Sequence, residues 1–244
     1  MPRMSRAALG IVTGSGPEAG LDLWQKLLAA NRIALGDGFR GDIDAPSLIA
    51  LSDPGLGLSM DLTANRDVVW RSLSRCCRKI ALQVDCFAIA CNTLHAFQPD
   101  IEALGLPSRF VSLVDTAVEF VSRRMLTTVA LLGADPVARL DEHSPYRRLG
   151  EVVDVEVPRQ SLQQLIFDIK RSGPNAELSE RFRAIVQGLE SRTVLLACTE
   201  LPLVAQPVTG KELVDVTDLL AERMAHLAIS ARGRRGPPAT SRAG

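Results

Sequence analysis

Two cysteines stand at matched places in this chain. "FAIACNTLHAF" (87–97) runs through small and apolar residues into Cys91, which Asn92 and Thr93 follow. "VLLACTELPLV" (194–204) does the same into Cys198, followed by Thr199 and Glu200. Each thiol falls where a buried strand is expected to give way to a helix. Helix N-termini carry unpaired N–H groups and the positive end of the helix dipole, which favour a thiolate and hold small anions such as a carboxylate. Two such junctions facing each other would flank a single carbon. A thiolate on one side and a thiol on the other could then take a proton from one face and return it on the other, with roles exchanged after each turnover. A carbon beside a carboxylate is a very weak acid, so fixed N–H groups would have to stabilise the developing enolate-like charge. The competing reading is packing, since free cysteine is among the most often buried residue types. The repetition of Cys-polar-polar weighs against packing at these two positions. Cys76 and Cys77 read as helix-face residues and Cys86 as core.

The elements around these junctions alternate. Strands are expected at 8–12, 47–53, 86–91 and 109–115, then at 128–133, 153–158, 193–198 and 212–216. Helices are expected from Pro17 to about Leu35, over 61–82, after Cys91 through about Leu104, over 161–171 and 176–190, near Pro202, and from Thr217 or Asp218 to about Ser230. "RSGPN" (171–175) breaks the two middle helices apart. Strand–helix alternation with nearly continuous apolar strands predicts an α/β fold of mainly parallel sheets covered on both faces. The strands before Gly14 and Gly133 look alike, as do those ending at Cys91 and Cys198. Two pseudo-symmetric three-layer α/β halves follow: 6–113 plus 213–231, and 114–212, with a disordered tail at 232–244. Ligands of open α/β sheets sit at the carboxyl ends of strands, where both cysteines fall.

Composition narrows the function classes. Apolar residues make up 46% of the 244 residues, enough for a substantial core. Lys+Arg and Asp+Glu balance at 28 each with no basic stripe, which argues against nucleic acid or an anionic membrane as partner. No apolar run reaches membrane-spanning length, and the short run after the N-terminal arginines reads as a first strand rather than a signal peptide. Five cysteines without staple-like spacing predict free thiols in a reducing, cytoplasmic setting. The absence of a Cys-x-x-Cys pair and the presence of only three histidines argue against a structural metal.

"GSGPEAG", "ACNTLHAF" and "ACTELPLV", in this order and spacing, resemble the aspartate/glutamate racemase family, and most closely its aspartate racemase branch, which works without pyridoxal phosphate. The resemblance covers the chain to about residue 230. It implies two pseudo-symmetric α/β domains with the site between them, a homodimer, no cofactor, and a small carboxylate or amino acid as partner. It assigns Cys91 and Cys198 as catalytic acid/bases. Asn92, Thr93 and Thr199 would hold the substrate carboxylate, with Glu200 beside them and Ser15 in the first loop. Lys170, in "FDIKRSG", stands where the family often has a carboxylate-binding lysine. Two positions depart from the pattern. Ser59, within "DPGLGLSMDL", falls about where the family carries an arginine for a side-chain carboxylate, a bidentate role that a hydroxyl does not replace. Asp135-Pro136 stands where Gly-Thr is usual.

Other residues have competing readings. His95 either tunes the first thiol or packs its helix. His143 lines the cleft or sits solvated in a loop, and Arg66 lies two helical turns beyond Ser59. Trp24 and Trp70 read as core or dimer contacts. Gly14 and Gly16 are a fragment of a dinucleotide loop, but Ala19 occupies the third glycine position, so nucleotide binding is not expected. The reading is a cofactor-independent racemase. Its rivals are a decarboxylase or isomerase of a small carboxylate, and a carboxylate-binding protein that has lost turnover.

Overall fold

The computed structural model describes residues 6–230; the tail expected to be disordered at 232–244 lies outside the described residues. The first half runs β1 (Leu9–Thr13), α1 (Pro17–Leu35), β2 (Leu48–Ser52), α2 (Leu62–Ala81), β3 (Cys86–Ile89), α3 (Gln98–Ala103), β4 (Arg109–Phe110) and α4 (Leu113–Arg123). The second runs β5 (Thr128–Leu132), α5 (Asp135–Ala138), α6 (Arg147–Gly150), β6 (Asp154–Glu156), α7 (Arg159–Ser172), α8 (Ala176–Gln187), β7 (Thr193–Leu196), β8 (Glu212–Asp215) and α9 (Val216–Ser230). Two four-stranded sheets form, ordered β2-β1-β3-β4 and β6-β5-β7-β8, and every strand pair is parallel. The expected α/β fold, with the same strand order repeated, is observed. Among the described residues no helix is long and apolar enough to cross a membrane.

Period-two alternation explains the layers. Leu9, Ile11, Cys86 and Ala88 face a central core, together with Val129, Leu131 and Leu195 of the second sheet. Val12, Phe87 and Ile89 face outward onto α2. Ala130, Leu132, Val194 and Leu196 face outward onto α7 and α8. The central core is filled by apolar faces of α1, α4 and α9, including Leu23, Leu27, Ala117, Val121, Leu220 and Met224. Lys26 of α1 adds a polar tie between the halves, bonding Asp22 on its own helix and Asp215 at the end of β8.

Three local expectations change. The strand expected at 109–115 stops after Phe110, and Ser112 caps α4, its hydroxyl accepting from the Asp115 N–H at 3.2 Å. Val111, Leu113, Val114, Ala117 and Val121 all join the central core, with the last four at helical spacing, so the β-branched run is an amphipathic helix. The helices expected after the two cysteines begin as 3-10 turns, Thr93–Phe97 and Leu201–Leu203. Pro99 makes α3 a separate short helix, and Pro207, just beyond the second turn, stops that turn from growing. The expected return to the first half at 213 divides: β8 pairs with β7 in the second sheet, and only α9 packs on α1.

Each junction is held by the same bond. The Ala90 N–H donates to the Val12 carbonyl at 2.9 Å, and the Ala197 N–H donates to the Leu132 carbonyl at 2.7 Å. Each alanine immediately precedes its cysteine, so each thiol sits one residue beyond the last anchored position of its sheet. Gly14 brings the first loop close. It has φ +128°, and a Cβ there would lie 2.0 Å from the Asp53 carbonyl oxygen. His95 then locks the first junction. Its Nε2 accepts from the Leu113 N–H at 3.0 Å, so Nδ1 carries the proton and donates to the Cys91 carbonyl at 2.9 Å. The ring is buried and stacks at a tilt against Phe110. His95 is therefore a clamp on the backbone of Cys91.

Two outcomes follow. Gly14→Ala forces a side chain into backbone at a positive φ and is expected to cost roughly 3 kcal/mol or more, read from the urea midpoint. Burial lowers the His95 pKa from 6.5 to about 4. Below pH 6.5 the unfolded chain takes up a proton that the folded chain refuses, so stability is lost as pH falls from 6.5 towards 4, by about 1.4 kcal/mol per pH unit. Urea titrations of parent and His95→Gln between pH 7 and 5 should differ in slope by about one proton; equal slopes would contradict the neutral clamp.

Candidate active site

A cavity between the two sheets collects the residues that the sequence singles out. Cys91, Asn92, Thr93 and Ser15 line it from the first half; Cys198, Thr199, Glu200 and Lys170 line it from the second. Both cysteines are almost fully buried, at 8% and 7% exposure. The cavity holds only about 20 Å³, room for about one water molecule. In this conformation the site is closed, and any amino-acid-sized ligand requires it to open.

The polar groups form two chains. On the first side Cys91 Sγ donates to Ser15 Oγ at 3.4 Å, and Ser15 Oγ shares a hydrogen bond with Ser59 Oγ at 2.6 Å. On the second side Cys198 Sγ donates to Glu200 Oε2 at 3.0 Å, Thr199 Oγ1 donates to the same oxygen at 3.2 Å, and Lys170 Nζ bonds Glu200 Oε1. Burial and the Glu200 charge push the Cys198 thiol well above its ordinary value, against a smaller pull from the Glu200 N–H and Lys170. Burial pulls Lys170 down, but Glu200 and, to a lesser extent, both sulfurs outweigh it, so its pKa is raised. One ammonium therefore feels both thiols. Gly16 closes the seam from the first half: a Cβ there would come 3.1 Å from Glu200 Oε1 and 3.7 Å from Lys170 Nζ.

The positive charge has a different origin from the one expected. A 3-10 turn of three or five residues supplies little of the roughly half charge of a full helix terminus. A unit charge on Lys170 is the larger source. The lysine reaches the cavity from α7, where Ile166 lies one turn before it on the same face.

Tyr146 is a site residue that sequence reasoning missed. Its fully buried hydroxyl donates to Asn92 Oδ1 at 2.6 Å across the two halves. That bond orients the amide, and Asn92 Nδ2 is left buried without a hydrogen-bond partner. As the sole tyrosine of the chain, in an otherwise polar loop, it was the available signal. Met60, beside Ser59, also lines the cavity and carried no sequence signal. Ser59 is buried and spends its hydroxyl on Ser15. Arg66 does not reach the cavity; it lies over the Phe97 ring at 4.6 Å and bonds Asp100. His143 is exposed, with Glu142 3.6 Å away. Trp70 stacks on Phe97 at 5.5 Å, whereas Trp24 is partly exposed on α1. Cys76, Cys77 and Cys86 are buried free thiols away from the cavity, pushed up chiefly by burial to about 11, 12 and 11.

Known proteins share this architecture. An aspartate racemase homologue from Pyrococcus horikoshii has 23% identity over 91% of this chain and 99% of its own, with a TM-score of 0.73. Aspartate racemase from Picrophilus torridus has 19% identity over 94% of this chain and 96% of its own, with a TM-score of 0.75. Glutamate racemase from Francisella tularensis, solved with D-glutamate, has 13% identity over 93% and 82%, with a TM-score of 0.65. No curated protein matches the sequence at a significant level. The Asp/Glu/Hydantoin racemase family model matches residues 13–224, spanning both sheets and both cysteine junctions, and the chain belongs to that family.

Proposed function

We propose that this protein is a cofactor-independent racemase that exchanges a Cα proton between Cys91 and Cys198. The observation that carries the reading is the single closed cavity lined by both buried thiols and by Lys170. Family membership supports racemase chemistry at the level of reaction type.

Each polar group then has a task. Asn92 Nδ2, buried and unpartnered, offers a donor to a substrate carboxylate, and a carboxylate oxygen would relieve the cost of leaving it unpaired. Thr93 and Thr199 flank the same space. Lys170 offsets the charge that grows as the Cα proton leaves. Cys198, held protonated by burial and Glu200, is the acid for one enantiomer, and Cys91 is the base once its thiol proton, directed at Ser15 in this conformation, has passed to solvent in the open site. For the other enantiomer the roles reverse. Cys198 must then lose its proton, and Glu200 Oε2 already lies within hydrogen-bond distance to receive it. The cavity volume requires the halves or the loops between them to part before substrate enters.

Two measurements test this reading. Cys91→Ser and Cys198→Ser should each slow racemisation by about 10²–10⁴-fold, read with Cα-proton exchange in deuterated water; both variants exchanging at the parent rate would sink the mechanism. Glu200→Gln removes a charge that raises the Cys198 pKa. Alkylation of Cys198 should therefore begin at lower pH in that variant than in the parent, and an unchanged onset would remove Glu200 from the proton path.

A further inference from the structure

A second, much larger cavity of about 760 Å³ adjoins the small one, and Met60 lines both. The two are neighbours on α7 as well. Ile166 and Lys170 face the small cavity, whereas Gln163 and Phe167, on the adjacent helix face, line the large one. They are neighbours again at α5, where Ala134 lines the inner space and Asp135 and Pro136 the outer. Met60 is half-buried at the end of the 3-10 segment Pro54–Asp61, so it forms a neck between a closed reaction chamber and an open antechamber.

The walls of the antechamber indicate what would fill it. Most of its ionic groups already have partners, the exposed His143 lying 3.6 Å from Glu142. Arg66 bonds Asp100 and covers the Phe97 ring, and Arg139 is likewise engaged. Asp61 caps α2 by accepting from the Ala64 N–H, and Asp141 accepts from the His143 N–H. Gln163 Oε1 accepts from the Asp135 N–H. Inside the neck, Lys170 bonds Glu200 and Ser59 bonds Ser15. Apolar surface is the larger share of what the antechamber walls expose, beside a nearly equal polar share: Phe167 is 46% exposed, and Leu62 and Pro136 share its walls. Covering such surface is favourable because it removes apolar area from water.

We infer that the antechamber is the subsite for the substrate's side chain, that Met60 is the residue gating it, and that the side chain it takes is long and uncharged, as in phenylalanine or methionine, rather than the short carboxylate of aspartate. The inference rests on the racemase reading for its chemistry, but its test separates the two. Cα-proton exchange and thermal stabilisation are measured on the same proteins with alanine, aspartate, phenylalanine and methionine. The parent should exchange phenylalanine or methionine with kcat/KM at least tenfold above aspartate. Met60→Trp, which fills the neck, should lower the bulky-to-alanine ratio at least tenfold. Met60→Ala, which widens it and guards against misfolding of the larger variant, should raise that ratio about threefold. Aspartate exchanging faster than both bulky amino acids overturns the subsite and leaves the racemase reading intact. Stabilisation by the bulky amino acids that Met60→Trp abolishes, with no exchange of any of the four, supports the subsite and overturns the racemase reading. Neither stabilisation nor exchange with the bulky pair overturns the subsite.

Discussion

Leu9, Ile11 and Ala88 of the first sheet and Val129, Leu131 and Leu195 of the second bury against the same three helices, α1, α4 and α9. That shared apolar layer fixes how the two sheets face each other. Neither sheet covers its inner face alone, because α9 follows the last strand of the second half and packs on the first helix of the first. The site inherits its geometry from this constraint. Each cysteine lies one residue beyond an anchored alanine at the end of a central strand, and the layer brings those two strand ends to one cavity.

Inside the cavity, burial sets the charge balance. An ammonium and a carboxylate removed from water are tolerable only when paired, and Lys170 and Glu200 pair with each other. The pair also touches chemistry: one Glu200 oxygen holds the lysine and the other holds Cys198 and Thr199. The two halves are not electrostatically alike. Cys91 faces a hydroxyl chain through Ser15 and Ser59, whereas Cys198 faces a carboxylate. Repetition of the fold places two thiols, and divergence of the loops makes their surroundings differ.

Both departures from the family pattern noted in the sequence, at Ser59 and at Asp135-Pro136, lie beside the neck or on the antechamber wall. Ser59 reaches Cys91 only through Ser15, and Asp135-Pro136 line the larger cavity. A fold that keeps its strand-end junctions while varying these loops keeps both cysteines in place and changes what lies beside them.

Most of the strands and both cysteine junctions were legible in the sequence because local pattern decides them, whereas Lys170 was reached only through the family resemblance. A parallel strand buried on both faces reads as an apolar run, and a Cys-polar-polar stop is visible without any partner. Pairing between distant segments was not legible. Assigning β8 to the second sheet while α9 returns to the first depends on which surfaces are left to cover. The run after Phe110 reads as β-branched until Ser112 is seen capping a helix whose apolar face has a core to meet. Tyr146 acquires meaning only when its hydroxyl finds Asn92 across the two halves, and Met60 only when two cavities meet at its side chain. The sequence by itself determined most of the elements and the residue types that stand at each junction, through periodicity and residue type. Only the tertiary structure decided that the junctions share one closed space and what lies beside it, because burying a common apolar layer is a property of the whole chain and of no single segment.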